Sequence, residues 1–229
     1  MANIQAGQVS YGLRLLAGLL ALALVGCGKQ GQQAVDNLPW QVATTAQGHT
    51  HVFNVDVGKT TLRELIERLH SFPETAVFMD ADKHLLLEAY FGKQSLGFLE
   101  ARLVAELAAD QATLEKFATE YIDRQAQPSG SWRLTISEPN QQVANALVVK
   151  HLIYIPVADY PEDIVRTRFG EPTQIVAVKE TASYWFYPQK GLALLVNGDG
   201  GEVFYYSTPA DFPALKERLL TRKPEDNHG

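Results

Sequence analysis

Cys27 is the only thiol among the 229 residues, and it closes an apolar run. A thiol serves as a nucleophile, a soft metal ligand or half of a disulfide. A single one excludes an internal disulfide framework and any cysteine-cluster metal site. Elsewhere, Val57-Gly58-Lys59-Thr60-Thr61 has the form of the tail of a phosphate-binding loop. That loop needs a Gly five positions before Gly58, and Phe53 stands there. The competing reading is a strand end followed by a helix cap. His49 and His51 would point the same way on a strand and could share a metal. No third ligand is near in sequence, and both border a hairpin turn. Asp80-Ala81-Asp82 and Asn197-Gly198-Asp199 offer oxygen ligands but lack the spaced acids and terminal Glu of a calcium loop. They read as turns.

Catalytic constellations are equally thin. No G-x-S-x-G elbow is present, and strands do not alternate with helices as in a hydrolase sheet. His151 lies in an apolar strand, where a hydrogen-bonded structural role is expected. Glu115/Glu120 and Glu162/Asp163 fall at helix starts or on exposed faces, where they complement the helix dipole. The expectation is therefore no catalytic residue, no metal and no cofactor. A hydrolase whose site assembles only in three dimensions is the alternative.

Composition narrows the partners. Lys plus Arg total 20 and Asp plus Glu 26, for a net charge of −6. Without a basic cluster, nucleic acid is not an expected partner. With 46% hydrophobic and 20% charged residues, the chain holds enough apolar material for a core and is not wholly disordered.

The N-terminal segment reads as an address. Arg14 is its one charged side chain, and the run from Leu15 to Val25 follows. As a helix that run rises about 16 Å, short of a hydrocarbon core about 30 Å thick. It suits a secretory signal rather than a spanning helix. Leu24-Val25-Gly26-Cys27 resembles the lipobox of bacterial lipoproteins. The resemblance implies cleavage between Gly26 and Cys27, palmitate-like acyl chains on Cys27, and a membrane partner reached through them. Two or more chains anchor stably where one does not. Gly28 is not the Asp that retains enteric lipoproteins at the inner membrane, so the outer membrane is favoured, with the body facing the periplasm. The expected divisions are residues 1–26 as signal peptide and 27–38 as lipidated Cys and tether. Residues 39–127 and 131–221 follow as two α+β units, with 222–229 as a frayed tail.

Within the body, alternating residues around Ala46-Gln47-Gly48 signal a hairpin. Leu62, Leu65, Ile66 and Leu69 mark one helix face, and Thr61 with Glu64 forms a capping box. TAVFMD, HLLLEAYF and GFLEARLVAEL read as strands. Asp110 caps an expected helix running to about Arg124, with Leu114, Phe117, Ala118, Tyr121 and Ile122 on its apolar face. Gln127-Pro128-Ser129-Gly130 is the expected boundary between units. Then come a strand at SWRLTIS, a short helix opened by Ser137 and Pro139, and a strand through ALVVKHLIYIPV. The next helix is stopped by Gly170 and Pro172. Four strands, TQIVAVK, SYWFYP, GLALLVN and EVFYYS, and a final helix bearing Phe212, Leu215, Leu219 and Leu220 complete the chain. The fold class is α+β: two units, each a short helix packed on an antiparallel sheet. Val55, Val57, Leu65, Arg68 and Leu69 recur as Ile155, Val157, Val165, Arg168 and Phe169 at an offset of about one hundred residues. Tandem duplication is one reading, chance likeness of two α+β units the other.

Glu162, Val165, Phe169, Gly170, Pro172, Trp185 and Tyr187 form a pattern of acid, helix, Gly-x-Pro and aromatic strand. This stretch resembles the SmpA/OmlA (BamE) type of small outer-membrane lipoprotein and is similar to the β-lactamase inhibitor protein fold. The first half lacks the Gly, having His70-Ser71-Phe72-Pro73 instead. The resemblance implies interaction or envelope-assembly work without catalysis. An inhibitor or sensor of a periplasmic enzyme is the alternative it suggests.

Tyr184, Trp185, Phe186 and Tyr187 are consecutive in one strand, so their rings alternate between faces. Tyr205 and Tyr206 repeat this on the strand expected beside it. Either the sheet is buried on both faces, or one face is an exposed aromatic surface that binds a protein.

Overall fold

The computed structural model describes residues 37–221. Gly26, Cys27, most of the tether and the tail lie outside the described residues. Three short strands come first: β1 (Ala43–Thr44), β2 (Thr50–Val52) and β3 (Val55–Val57). β2 and β3 are joined at Phe53-Asn54, both of which have positive φ. The run HVFNVDV is thus a two-residue hairpin, where alternation alone suggested one strand. Asn tolerates the left-handed region and Phe does not. Phe53 is held there by its ring, which is buried and stacked 5.2 Å from that of Tyr154.

Helix α1 (Leu62–Leu69) begins with the expected capping box. Thr61 Oγ1 accepts from Glu64 N, and Thr61 N donates to Glu64 Oε2 at 2.8 Å. His70 closes the helix in the left-handed conformation, at φ 49° and ψ 37°, whereas Gly170 leaves its helix at φ 84° and ψ −174°. β4 (Glu74–Met79), β5 (Leu85–Leu96) and β6 (Leu99–Leu107) follow as a meander.

Helix α2 (Gln111–Thr119) is capped by Asp110, as expected, but it ends before Tyr121 and Ile122. Ile122 N donates to Thr135 O, which draws the chain into β7 (Asp123–Ala126), and Ile122 is 69% exposed. β8 (Trp132–Thr135) pairs with both β7 and β4. The boundary expected at Gln127–Gly130 is corrected here. Gln127 N donates to Ser131 O and Gly130 has φ 83°, so the segment is the turn of the β7–β8 hairpin. Pro and Gly mark tight turns as readily as linkers.

The remaining elements are α3 (Glu138–Ala144), β9 (Val149–Pro156), α4 (Glu162–Phe169), β10 (Gln174–Ala177), β11 (Ala182–Tyr187), a 3-10 turn (Pro188–Lys190), β12 (Leu192–Asn197), β13 (Val203–Tyr206) and α5 (Phe212–Thr221). Ten strands form one sheet in the order β10-β11-β12-β13-β9-β6-β5-β4-β8-β7. The expected halves meet inside it, antiparallel along β6 and β9 from Ala101↔Pro156 to Leu107↔Val149. The fold is α+β, with short helices packed on antiparallel sheet, and no sheet edge separates the halves.

The inner face carries the larger core. Val52, Phe53, Val55 and Val57 of the small sheet, Leu65 of α1, Phe117 of α2 and Phe169 of α4 pack there against Leu87, Leu103, Tyr154, Trp185 and Tyr206. Gly191 makes that closure possible, because a Cβ there would lie 2.6 Å from Thr50 Oγ1 and closer still to the Ser207 carbonyl oxygen. On the outer face, Phe212, Leu215 and Leu219 of α5 cover Tyr184, Phe186, Ala193, Leu195, Val203 and Tyr205. A fully buried aliphatic or aromatic side chain contributes about 1.5–3 kcal/mol, so both faces of β11–β13 are strongly held.

Candidate functional site: an open half-face and a buried ion cluster

The aromatic strands are core. Tyr184, Trp185, Phe186, Tyr187, Tyr205 and Tyr206 are all buried, which corrects the exposed-surface reading. Trp185, Tyr187 and Tyr206 face the inner core, and Tyr184, Phe186 and Tyr205 lie beneath α5. Burial pushes Tyr187 up to about 12 and Tyr206 well above its ordinary value. Each finds a backbone acceptor, Tyr187 at Gly170 O (3.0 Å) and Tyr206 at Pro39 O (2.8 Å).

The loop at Val57–Thr61 has its amides committed. Gly58 N donates to Val149 O, Lys59 N and Thr60 N donate to Asp56 O, and Leu62 N donates to Leu147 O. A phosphate cradle needs such N–H groups free. His51 pairs across β2–β3 with Asp56 (Nδ1–Oδ1 2.6 Å), while His49 Nδ1 is buried beside Gly58. Asp80 ties back to His84 N at 2.8 Å, and Asp199 accepts from Thr181 Oγ1 at 2.7 Å, so both acidic stretches are turns. Among the described residues no group of three or more His, Cys, Asp or Glu side chains is placed to hold a metal.

Side-chain chemistry concentrates at Glu106, His151 and Arg218. Glu106 on β6 lies opposite His151 on β9, and both are buried. Arg218 reaches from α5 to grip Glu106 through both oxygens, at 2.9 and 2.7 Å. His151 Nδ1 is 3.1 Å from Glu106 Oε2 and 3.2 Å from Arg218 Nη2. Burial would raise the Glu106 carboxyl. The hydrogen bonds and charges of His151 and Arg218 outweigh burial and hold it far below the usual carboxylate range. Ser207 lies one residue past the Tyr206↔Leu152 pair. Its hydroxyl donates to Thr208 O at 3.1 Å, and His151 Nε2 is buried without a hydrogen-bond partner. A serine–histidine relay is therefore not formed among these residues. The cluster does the work of a fastener, fixing α5 on the sheet in one register. His151 was conspicuous in sequence, while Glu106 and Arg218 were not, since each sits in an ordinary amphipathic pattern.

Linkage makes this fastener acid-sensitive. The folded-state pKa of Glu106 is lowered, so its stabilisation is complete above the unfolded value of about 4.3 and is lost as pH falls below it. Asp56, lowered by its hydrogen bond to His51, acts with the same sign. Melting temperature is expected to hold from pH 7 to about 5 and then fall steeply. In Glu106→Gln, less stable at neutral pH, the acid slope is expected to be shallower. An unchanged slope would mean the carboxylate is not ionised in the fold.

Beyond α5 the outer face is open. The same side of the sheet continues through the rows Arg133–Phe78–Leu86 and Thr135–Ala76–Glu88–Glu106. Tyr90 lies opposite Val104. In these rows Ala76 and Glu106 are buried, Phe78, Leu86, Glu88, Val104 and Arg133 are half-buried, and Tyr90 is 40% exposed. On the inner side of the same strands, Val77, Leu87, Ala89, Leu103 and Ala105 are buried. Among the described residues, no layer covers the outer side of β4, β5 and β8. Arg133 is tied to Glu74 at 2.7 Å and Lys93 to Glu100 at 2.6 Å, which gives an apolar strip bordered by charge pairs.

No family model, curated protein or solved structure matches this chain.

Proposed function

We propose that this protein is a lipid-anchored envelope protein, held by acyl chains on Cys27 at the outer membrane and facing the periplasm, whose work is to dock another protein and not to catalyse. The observation that carries the docking half is the open outer half-face. A sheet side bearing Phe78, Leu86, Tyr90 and Val104 among charge pairs has the aromatic and aliphatic anchors and polar rim of a binding surface. The lipobox-like Leu24-Val25-Gly26-Cys27 supports the anchor. The arrangement suits the interaction work that the resemblance to small envelope lipoproteins implies, since an open sheet face accepts a partner without a pocket.

Two measurements test the halves separately. Mass spectrometry of the membrane-extracted protein is expected to find a chain beginning at acylated Cys27, and Cys27→Ser to leave the membrane fraction. An intact Met1 or an unmodified thiol would overturn the anchor. For docking, a photo-reactive residue at position 90 is expected to yield one dominant crosslinked species in cells. Tyr90→Glu should reduce recovery of that partner at least tenfold, with melting temperature nearly unchanged. If the captured partner is an enzyme that loses activity on binding, the inhibitor reading replaces the assembly one.

A further inference from the structure

Strands β5 and β6 separate at one end. They pair from Leu96↔Leu99 to Glu88↔Glu106 and no further. Beyond that rung Leu85, Leu86 and Leu87 pair only with β4. β6 keeps to β9 instead, where Leu107 lies opposite Val149 and Ala108 N donates to Val148 O. The missing rungs leave a cleft of about 360 Å³, walled by Leu85, Leu86, Leu87 and Leu107 and by Leu114 of α2. Leu87 and Leu107 are buried, Leu85 and Leu86 half-buried. Water finds few partners against such walls.

Three ionisable side chains, Glu106, Asp110 and Lys150, border the cleft. Two are already committed. Glu106 is gripped by Arg218, and Asp110 Oδ1 accepts from Thr113 N at 2.8 Å as the cap of α2. Lys150 is exposed and has no ion-pair partner among the described residues. It is also the residue left over by the pairing. Glu106 lies opposite His151 and Leu107 opposite Val149, so Lys150 is the extra residue of a β-bulge, a device that re-aims a side chain. The unclaimed charge at the mouth is therefore positive, and the positive end of the α2 dipole adds to it. We propose that the cleft binds a fatty carboxylate of medium chain length, with its hydrocarbon between β5 and β6 and its carboxylate on Lys150. The slot runs along three residues of β5, about 10 Å, a span suited to a chain of about ten carbons. Its volume is at the small end for ligand sites, which favours one chain over the two of a phospholipid. A bare hydrocarbon would leave Lys150 unpaired, and an alkylamine would set two cations together. The ligand lies between strands and not on the open half-face, so this site stands apart from the docking reading.

The test uses the full chain at neutral pH and decanoate carrying a diazirine at its far end. Illumination is expected to label residues 85–87, 107–109 and 114, read by peptide mass spectrometry. Unlabelled decanoate should suppress the labelling. Octanoate should compete about tenfold less well, since two buried methylenes are lost, and decylamine should not compete. Lys150→Glu should lower the yield at least fivefold, while Lys150→Arg keeps it. Ala108→Trp, at an exposed position of the wall, should block labelling by filling the cleft. Unchanged melting temperatures of the Lys150 variants would verify folding. Labels scattered over the surface, competition by decylamine equal to that by decanoate, or a yield indifferent to Lys150→Glu would overturn the site. Labels confined to Phe78 and Tyr90 would overturn it as well, and the docking reading would stand.

Discussion

Arg218→Met is expected to destabilise the protein by about 3 kcal/mol, near the lower end for breaking a buried ion pair. The reasoning starts from what stays behind. Glu106 and His151 remain buried, each 3% exposed, while the removed guanidinium was itself 28% exposed. A carboxylate left in that site keeps its desolvation cost and loses two hydrogen bonds of 2.9 and 2.7 Å. Glu88 makes this worse, because it stands directly opposite Glu106 and also feels Arg218, and two acids face to face repel. For a domain of this size the loss is about 6–12 °C in melting temperature. The acid midpoint should also rise, since Glu106 would protonate more easily. Combining Arg218→Met with Glu106→Leu should recover most of the loss, as apolar replacements of buried pairs often do. Urea unfolding of the two single variants and the double variant gives the coupling directly. A coupling near zero would show that the cluster does not fasten α5.

Trp185→Ala is expected to cost about 3–5 kcal/mol, the usual range for removing a large buried aromatic. Trp185 is fully buried in the sheet between Ile175 and Leu194. Its Nε1 donates to Ser183 Oγ at 2.9 Å, and the Arg166 guanidinium lies 4.5 Å over its ring. The vacated volume adjoins a rigid sheet, so little collapse can offset it. Tyr90→Ala is the control, expected to change stability by under about 1 kcal/mol because the ring is partly exposed. A Trp185→Ala variant that melts like wild type would return the ring to the surface, and with it the aromatic docking face on β11.

The two strand groups explain why one surface was misplaced. SYWFYP and GLALLVN are continuous apolar runs, the pattern of strands buried on both sides. Their consecutive rings offered an interaction face only if one side lacked cover, and α5 supplies that cover. In β5 and β6, by contrast, Glu88, Tyr90, Arg102 and Val104, half-buried or exposed, alternate with buried Leu87, Ala89, Leu103 and Ala105. That alternation marks one wet side, and it pointed to the open half-face more directly than the aromatics did. The α2 end was missed for a similar reason. Tyr121 and Ile122 continue a helical stripe in sequence, but the hydrogen bond from Ile122 to Thr135 belongs to strand pairing with β8.

What the sequence by itself determined is local. The Thr61/Glu64 cap, the Asp110 cap, the Gly170 stop and the strand spacing follow from interactions within a few residues, whose cost and gain do not depend on the rest of the chain. Only the tertiary structure decided that the halves share one sheet, that α5 covers half its outer side, and that Arg218 meets Glu106 across 112 residues of chain. Such pairings depend on which apolar faces find each other when the chain closes on itself. Burial is non-directional, so an apolar stripe announces that it will be covered without naming its cover.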